Sequence, residues 1–329
     1  MNKIIKKVKT EDKYLIYDNP ETIGLKYLTR IGLNKIDKIY YRFLLNTLKP
    51  KDKENYKYKV SICAIFKDEA AYLKEWIEFH KIVGVEHFYL YNNKSSDNYM
   101  EVLSPYIEEK TVSLKEWPNP QSQMAAYEDF MKNDSHETLW VGFIDLDEYV
   151  IPNKFDSIYD FLKAFNNRPS VIIYWKYFGT SGLLERNTNG LLTEELVVAW
   201  PKFENIGKFF FNTRYEYDPE YKKNGYMHYT WGMAKGIHLP PVNEFDRICT
   251  WGVNSVPNDD MPIQINHYVI KTYDEYVTKK AKRGGGVHPV GMHDFEYFYY
   301  HENRCQSVDY SAYKYLIRLK LAMNGEKDR

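Results

Sequence analysis

At 329 residues the chain is long enough for one large domain or two ordinary ones, and its 44% hydrophobic content excludes disorder over most of that length. Its 45 Lys+Arg balance 45 Asp+Glu, which argues against a dedicated nucleic-acid binder. Aromatic residues make up 17% of the chain, 31 of them Tyr; such rings suit either a core or stacking on sugars and bases. Cys63, Cys249 and Cys305 are scattered and form no CxxC pair. No apolar run reaches the roughly 18 residues of a membrane span, and the lysine-bearing N-terminus lacks the apolar stretch of a leader. A cytoplasmic protein is the expectation.

In chain order, residues 1–57 come first as a basic extension with 14 Lys/Arg against 7 Asp/Glu. Ile36, Ile39, Tyr40, Phe43, Leu44 and Leu48 recur at helical spacing. They predict an amphipathic helix that docks on the main domain; the other reading is a helix lying on an anionic membrane face, a peripheral association. Pro50 and the residues after it read as a linker. Lys59–Phe66 then predicts a buried parallel strand, and a helix from about Ala70 to Val83 carries Leu73, Trp76, Ile77 and His80 on one face. Strands over Val85–Tyr91, Thr111–Leu114 and Leu139–Ile144 alternate with helices to about Tyr106 and over Gln121–Lys132. The alternation predicts an α/β fold with a doubly wound, mostly parallel sheet, whose ligands bind outside the carboxyl ends of the strands. Beyond residue 150 the alternation is lost, and aromatics accumulate: Trp175, Tyr177, Phe178, Phe203, Phe209–Phe211, Tyr215, Tyr217, Tyr226, Tyr229 and Trp231. From Tyr310 a basic amphipathic helix is predicted.

The apolar strand LWVGFI delivers Asp145-Leu146-Asp147-Glu148-Tyr149 to the edge of the sheet. Carboxylates at i and i+2 in such a turn can converge on a hard divalent cation that also takes oxygens from a substrate phosphate. An acidic triplet at a strand exit is often only a solvated turn, but burying a strand to deliver it favours a site.

The stretch from Val60 to His80, with Glu69-Ala-Ala-Tyr-Leu-Lys-Glu-Trp-Ile-Glu-Phe-His80, resembles the opening of GT-A fold nucleotide-sugar transferases, closest to the glycosyltransferase family 92 and family 2 group. The resemblance continues through Gly84-Val85, Phe88–Asp97, Gln123 and Tyr127, Trp140–Tyr149 with Pro152, Phe178–Gly182, Ile265–Thr272, Lys279 and Arg283-Gly284. It implies a Rossmann-like GT-A domain over 58–285, with a nucleotide-sugar half (58–150) and an acceptor half (151–285), followed by a helical extension (286–329). The implied activity is metal-dependent transfer of a hexose, galactose among the candidates, from a nucleoside-diphosphate sugar. A UDP-sugar is the first choice, the acceptor is a glycan or glycolipid hydroxyl, and inversion is expected.

By the same resemblance, Asp145, Asp147 and His267 would hold the metal, with imidazole favouring Mn2+ over Mg2+. Phe66, Lys67, Asp68, Glu69, Asp97, Gln123 and Asp145 would line the nucleotide, and Lys271, Lys279 and Arg283 the diphosphate. Asp68 stands where the family usually has Asn, so the base contacts should differ. An inverting transfer needs a carboxylate base at the acceptor hydroxyl; Glu244 and Asp246 are the first candidates by distance along the chain, with Glu185 behind them. Two other readings fit less well: a catalytically silent sugar-binding scaffold of the same fold, and a metal-dependent nucleotidyl or phosphodiester enzyme, which would want a second acidic cluster.

Overall fold

A computed structural model describes residues 25–51, 55–221, 228–249, 260–283, 291 and 293–326. Its first half follows the predicted alternation. β1 (Tyr58–Phe66), β2 (His87–Asn92), β3 (Val112–Glu116) and β4 (Thr138–Phe143) are parallel, with α2 (Ala70–Ile82), α3 (Tyr99–Glu108) and α4 (Gln123–Asn133) between them. From Val60 to Phe66 the side chains of β1 are buried with one partial exception, as a strand covered on both faces requires.

The second half is mixed. β5 (Glu148–Pro152) follows the acidic turn directly, and β6 (Ser170–Tyr177) lies beyond it. The short β7 (Val198–Ala199), then β8 (Gly207–Asn212), a hairpin of β9 (Gly232–Ala234) with β10 (Ile237–Leu239), β11 (Val242–Asn243), β12 (Ile263–His267) and β13 (Ser307–Val308) complete the strands. The main sheet runs β3-β2-β1-β4-β8-β6-β12-β5, with β11 on β6. β8 is antiparallel to β4 and β6, while β12 is parallel to β6 and antiparallel to β5. The carboxyl ends of β1, β2, β4, β6 and β12 therefore share one edge, and β5 begins there.

α2 packs on the sheet through Leu73, Trp76, Ile77 and His80, all fully buried as the spacing predicts. His80 is more than filler. Its Nδ1 donates to the Trp76 carbonyl at 2.9 Å and its Nε2 accepts from the Val150 N–H at 3.3 Å, an arrangement only the neutral imidazole can make. Burial pushes its pKa down to about 3, against a partial lift from the Trp76 carbonyl. A folded-state pKa below the unfolded value gives stability that is complete above the unfolded pKa and lost as pH falls toward the folded one. Stability of the chain should therefore decline from about pH 6.5 downwards, and His80→Phe should flatten that decline in urea titrations run from pH 7 to pH 4.

The chain's ends dock as helices. α1 (Leu25–Thr47, placed first in the chain) buries Leu44 and Leu45 and sets Tyr41 edge-on to Trp231 at 5.3 Å. Of the expected stripe, Leu44 is buried and Leu48 half-buried, whereas Ile36, Ile39, Tyr40 and Phe43 are exposed. At 100° per residue the two sets adjoin, Leu44 lying about 40° from Tyr40, so the expected stripe spans about half the helix and only one side of it docks. At the other end, residues 311–315 form a 3₁₀ turn running into the helix Leu316–Met323, and Tyr315 packs edge-on to Phe79 at 5.5 Å. Most of the aromatics after residue 150 are core: Phe178, Phe209, Phe210, Phe211, Tyr215 and Trp231 are buried, while Tyr226 lies outside the described residues. No helix among the described residues is long and apolar enough to cross a membrane.

Candidate active site

The acidic turn sits at the shared carboxyl edge. It is pinned from below by Trp76, whose indole N–H donates to the carbonyls of Asp145 (3.1 Å) and Glu148 (2.9 Å), and from the side by the Tyr268 N–H, which donates to the Asp147 carbonyl at 2.8 Å. Glu148 opens β5 opposite His267, the last residue of β12, and His267 in turn pairs in register with Tyr177 at the end of β6. Register alone thus brings Asp147, Glu148 and His267 together.

These residues each offer a ligand atom, all within 4.8 Å of one another, the one such group of His, Cys and acidic residues among the described residues. Two observations favour a cation there. Glu148 Oε1 is buried without a hydrogen-bond partner among the described residues, an arrangement costly unless something is bound, and His267 turns Nε2 toward Asp147 at 3.6 Å. Burial also pushes His267 below its ordinary pKa despite Asp147 beside it, leaving the neutral imidazole that metals take. Asp147 is 21% exposed, with His267 Nε2 at 3.6 Å and Lys280 Nζ at 3.5 Å. Burial would raise its pKa, but His267, Lys280 and Lys271 outweigh that and hold the carboxyl well below the usual carboxylate range. Burial pushes Glu148 well up, which a cation against it would reverse.

Asp145 is placed differently from the expectation. Both its oxygens are engaged by the protein: Oδ1 accepts from Gln123 (2.7 Å) and Tyr127 (3.3 Å), and Oδ2 from Lys208 (2.7 Å). Glu148, not Asp145, stands with Asp147 and His267 in the group that could hold a cation. Lys208 is only 1% exposed and also lies 3.9 Å from Glu148 Oε1. Burial disfavours its charge, but Asp145 and Glu148 more than compensate and raise its pKa.

The expected nucleotide residues cluster at the ends of β1 and β2. Phe66 is buried with Tyr99 edge-on at 5.6 Å, and Lys67 is exposed at the turn. Asp68 adopts a left-handed conformation (φ 53°) and its Oδ1 accepts from the Ser96 N–H at 2.7 Å, stitching the two loops together. Asp97 Oδ2 accepts from the Ala70 N–H at 2.7 Å and caps α2, while its Oδ1 is buried with no partner among the described residues. Glu69 pairs with Lys271 at 2.7 Å, and Lys271 also sits over the Tyr72 ring at 3.7 Å. Lys280 reaches Asp147 at 3.5 Å, and its neighbour Lys279, expected at the diphosphate, is half-buried. A π-helical turn, Tyr276–Lys280, sets which of the two points inward. The Arg283 side chain lies outside the described residues.

Among the base candidates the order expected from sequence does not survive. Asp246 is clamped by Arg42 (2.7 Å) and Arg168 (2.6 Å). Arg168 precedes β6, whose far end, about 23 Å away at the rise of a strand, carries Tyr177 beside His267. Glu244 is buried within the sheet region, with its Oε1 3.4 Å from the Tyr174 N–H and its pKa pushed well up by burial. Tyr174 lies about 10 Å short of Tyr177 along the strand. Glu185 is exposed on the loop whose Leu183 carbonyl accepts from the Tyr273 N–H, two residues beyond Lys271. It is the candidate on the side of the acidic turn.

Residues 293–308 add a wall that sequence reasoning missed. β13 pairs with β7, and from the helix Phe295–Glu302 His301 meets Tyr177 at 5.0 Å. Trp175 and Tyr177 flank His267 at 4.6 and 5.2 Å, and Trp200 packs on Tyr177 at 4.8 Å. The aromatic surplus thus includes a ring lining around the proposed ligand group.

The sequence profile of Glycosyltransferase family 92 matches residues 56–308. A family 92 protein of Ricinus communis is 30% identical over 131 residues, covering 38% of this chain and 24% of that protein. One of Arabidopsis thaliana is 32% identical over 102 residues, covering 31% and 18%. The chain thus spans about a quarter or less of the length of these curated relatives. Among solved structures it is similar to residues 1–349 of S. aureus TarS, with a TM-score of 0.33 and 13% identity over 47% of each chain.

Proposed function

The chain belongs to glycosyltransferase family 92, and from that premise we propose that it transfers a hexose, galactose among the candidates, from a nucleoside-diphosphate sugar to a hydroxyl of a glycan or glycolipid. UDP is the proposed nucleotide, Mn2+ or Mg2+ the proposed metal, and inversion the proposed outcome. The observation that carries the reading is the buried group of Asp147, Glu148 and His267 at the carboxyl edge of the sheet, with ligand atoms within 4.8 Å of one another and Glu148 Oε1 lacking a hydrogen bond among the described residues. Asp147, Glu148 and His267 would hold the cation. When bound, it would neutralise charge growing on the departing diphosphate.

The remaining roles belong to the chain's own side chains. Lys280 and Lys271 supply fixed positive charge on the side where the diphosphate would lie. Asp145, held by Gln123, Tyr127 and Lys208, is oriented to meet a ribose hydroxyl or a metal-bound water. Asp97 Oδ1 offers a further acceptor. Glu185 is the proposed base. Tyr177, half-buried beside His267 and backed by the buried Trp175 and Trp200, is the proposed ring for a sugar.

A panel of nucleotide-sugars assayed for donor hydrolysis tests this directly. Turnover of one donor should appear with Mn2+, collapse with chelator and return when the metal is restored. Turnover that survives chelation would sink the metal mechanism. Glycan binding with no turnover of any donor would promote the silent scaffold.

A further inference from the structure

We propose that the outward face of α1 seats the protein on an anionic lipid bilayer. α1 is apolar on two adjoining faces. Tyr41, Leu44, Leu45 and Leu48 turn toward the domain, as their burial shows. Ile36 (63%), Ile39 (73%), Tyr40 (53%) and Phe43 (64%) are exposed, within an adjoining arc of about 100°. Soluble monomers rarely hold such a row in water without an interaction to make.

Charge selects the partner. Residues 35–51 carry Lys35, Lys38, Arg42, Lys49 and Lys51 against a single acid, Asp37. Lys35 and Lys49 are exposed, and Arg42 is turned inward to Asp246. Lys51 pairs with Glu216, which leaves an apolar row with Lys35 on one side and Lys49 just past its C-terminal end, a pattern that fits an interface of acyl chains and negative headgroups. A second copy of the chain fits less well: four side chains over about two helical turns fall short of the about 800 Å² per partner of a stable interface, and the lysines would face one another. The inference is independent of the transferase reading; vesicle binding without donor turnover would refute that reading and leave this one standing.

The test is co-sedimentation of the full chain with vesicles of phosphatidylcholine alone and with 30% phosphatidylglycerol. Binding should be at least tenfold stronger to the anionic vesicles and weaken as salt rises from 50 to 500 mM. Ile39→Asp/Phe43→Asp should lower it at least tenfold while far-UV circular dichroism stays unchanged, and Lys35→Glu/Lys49→Glu should lower it through charge alone. Equal binding to both vesicles, or binding untouched by the apolar double variant, overturns the proposal. So does a wild-type dimer that the double variant converts to monomer without any vesicle binding.

Discussion

Asp147→Asn should lower donor turnover by on the order of a thousandfold, the scale of losing a preorganised group that meets charge developing in the transition state. The substitution keeps the shape of the side chain and removes its charge. Asp147 is the partly open member of the proposed ligand group and is held ionised by His267 and Lys280. Mn2+ affinity should fall with turnover, and calorimetric titration of Mn2+ into the variant should show the loss without any assay of transfer. Full activity in the variant would remove Asp147 from the mechanism. Weakened Mn2+ binding with normal turnover would show that the cation is not catalytic.

Lys208→Met should be the most destabilising single change in the site. The ammonium lies between Asp145 and Glu148 at 2.7 and 3.9 Å, and its removal leaves the buried Glu148 carboxyl beside the partly exposed Asp145 with no cation between them. Breaking a buried ion pair from one side costs about 3–5 kcal/mol. In a chain of this size that corresponds to a fall in Tm on the order of 10 °C. Adding Asp145→Asn should recover part of the loss, because the neutral amide no longer repels Glu148. A thermal melt of the single and double variants decides it: additive losses would mean that Lys208 acts through packing and not charge. The buried Lys208 ammonium thus holds Asp145 and approaches Glu148 from the side of the sheet.

How much was visible beforehand depends on how each element is buried. β1, β2 and β4 are covered on both faces, so they read as apolar runs and were predicted nearly to their ends. β12 has the opposite composition. Its Gln264 and Asn266 are buried but hydrogen-bonded to each other and to Ser311, so a core strand is written in polar residues. β5, five residues ending in Pro152, looks like the tail of a turn. The missing strands explain the missed member of the proposed ligand group: Glu148 meets His267 because β5 pairs with β12, a long-range register that local periodicity does not encode. Lys280 was hidden by one residue, since an α-helical count does not anticipate a π turn. Asp246 and Glu244 were plausible from chain distance, but Arg42, from the N-terminal helix, and Arg168 claim the first, and the sheet encloses the second.

The pairing of β5 with β12 also has a consequence in time. Asp147 and Glu148 leave the ribosome long before His267, and the strand carrying His267 must cross the sheet to lie between β6 and β5. Contacts so far apart in sequence close late, after the loop between them has folded. A nascent chain could complete its first four parallel strands and still be unable to gather Asp147, Glu148 and His267. On the proposed reading, the group that would hold the cation is complete only once β12 has paired with β5, after the first half of the sheet has formed.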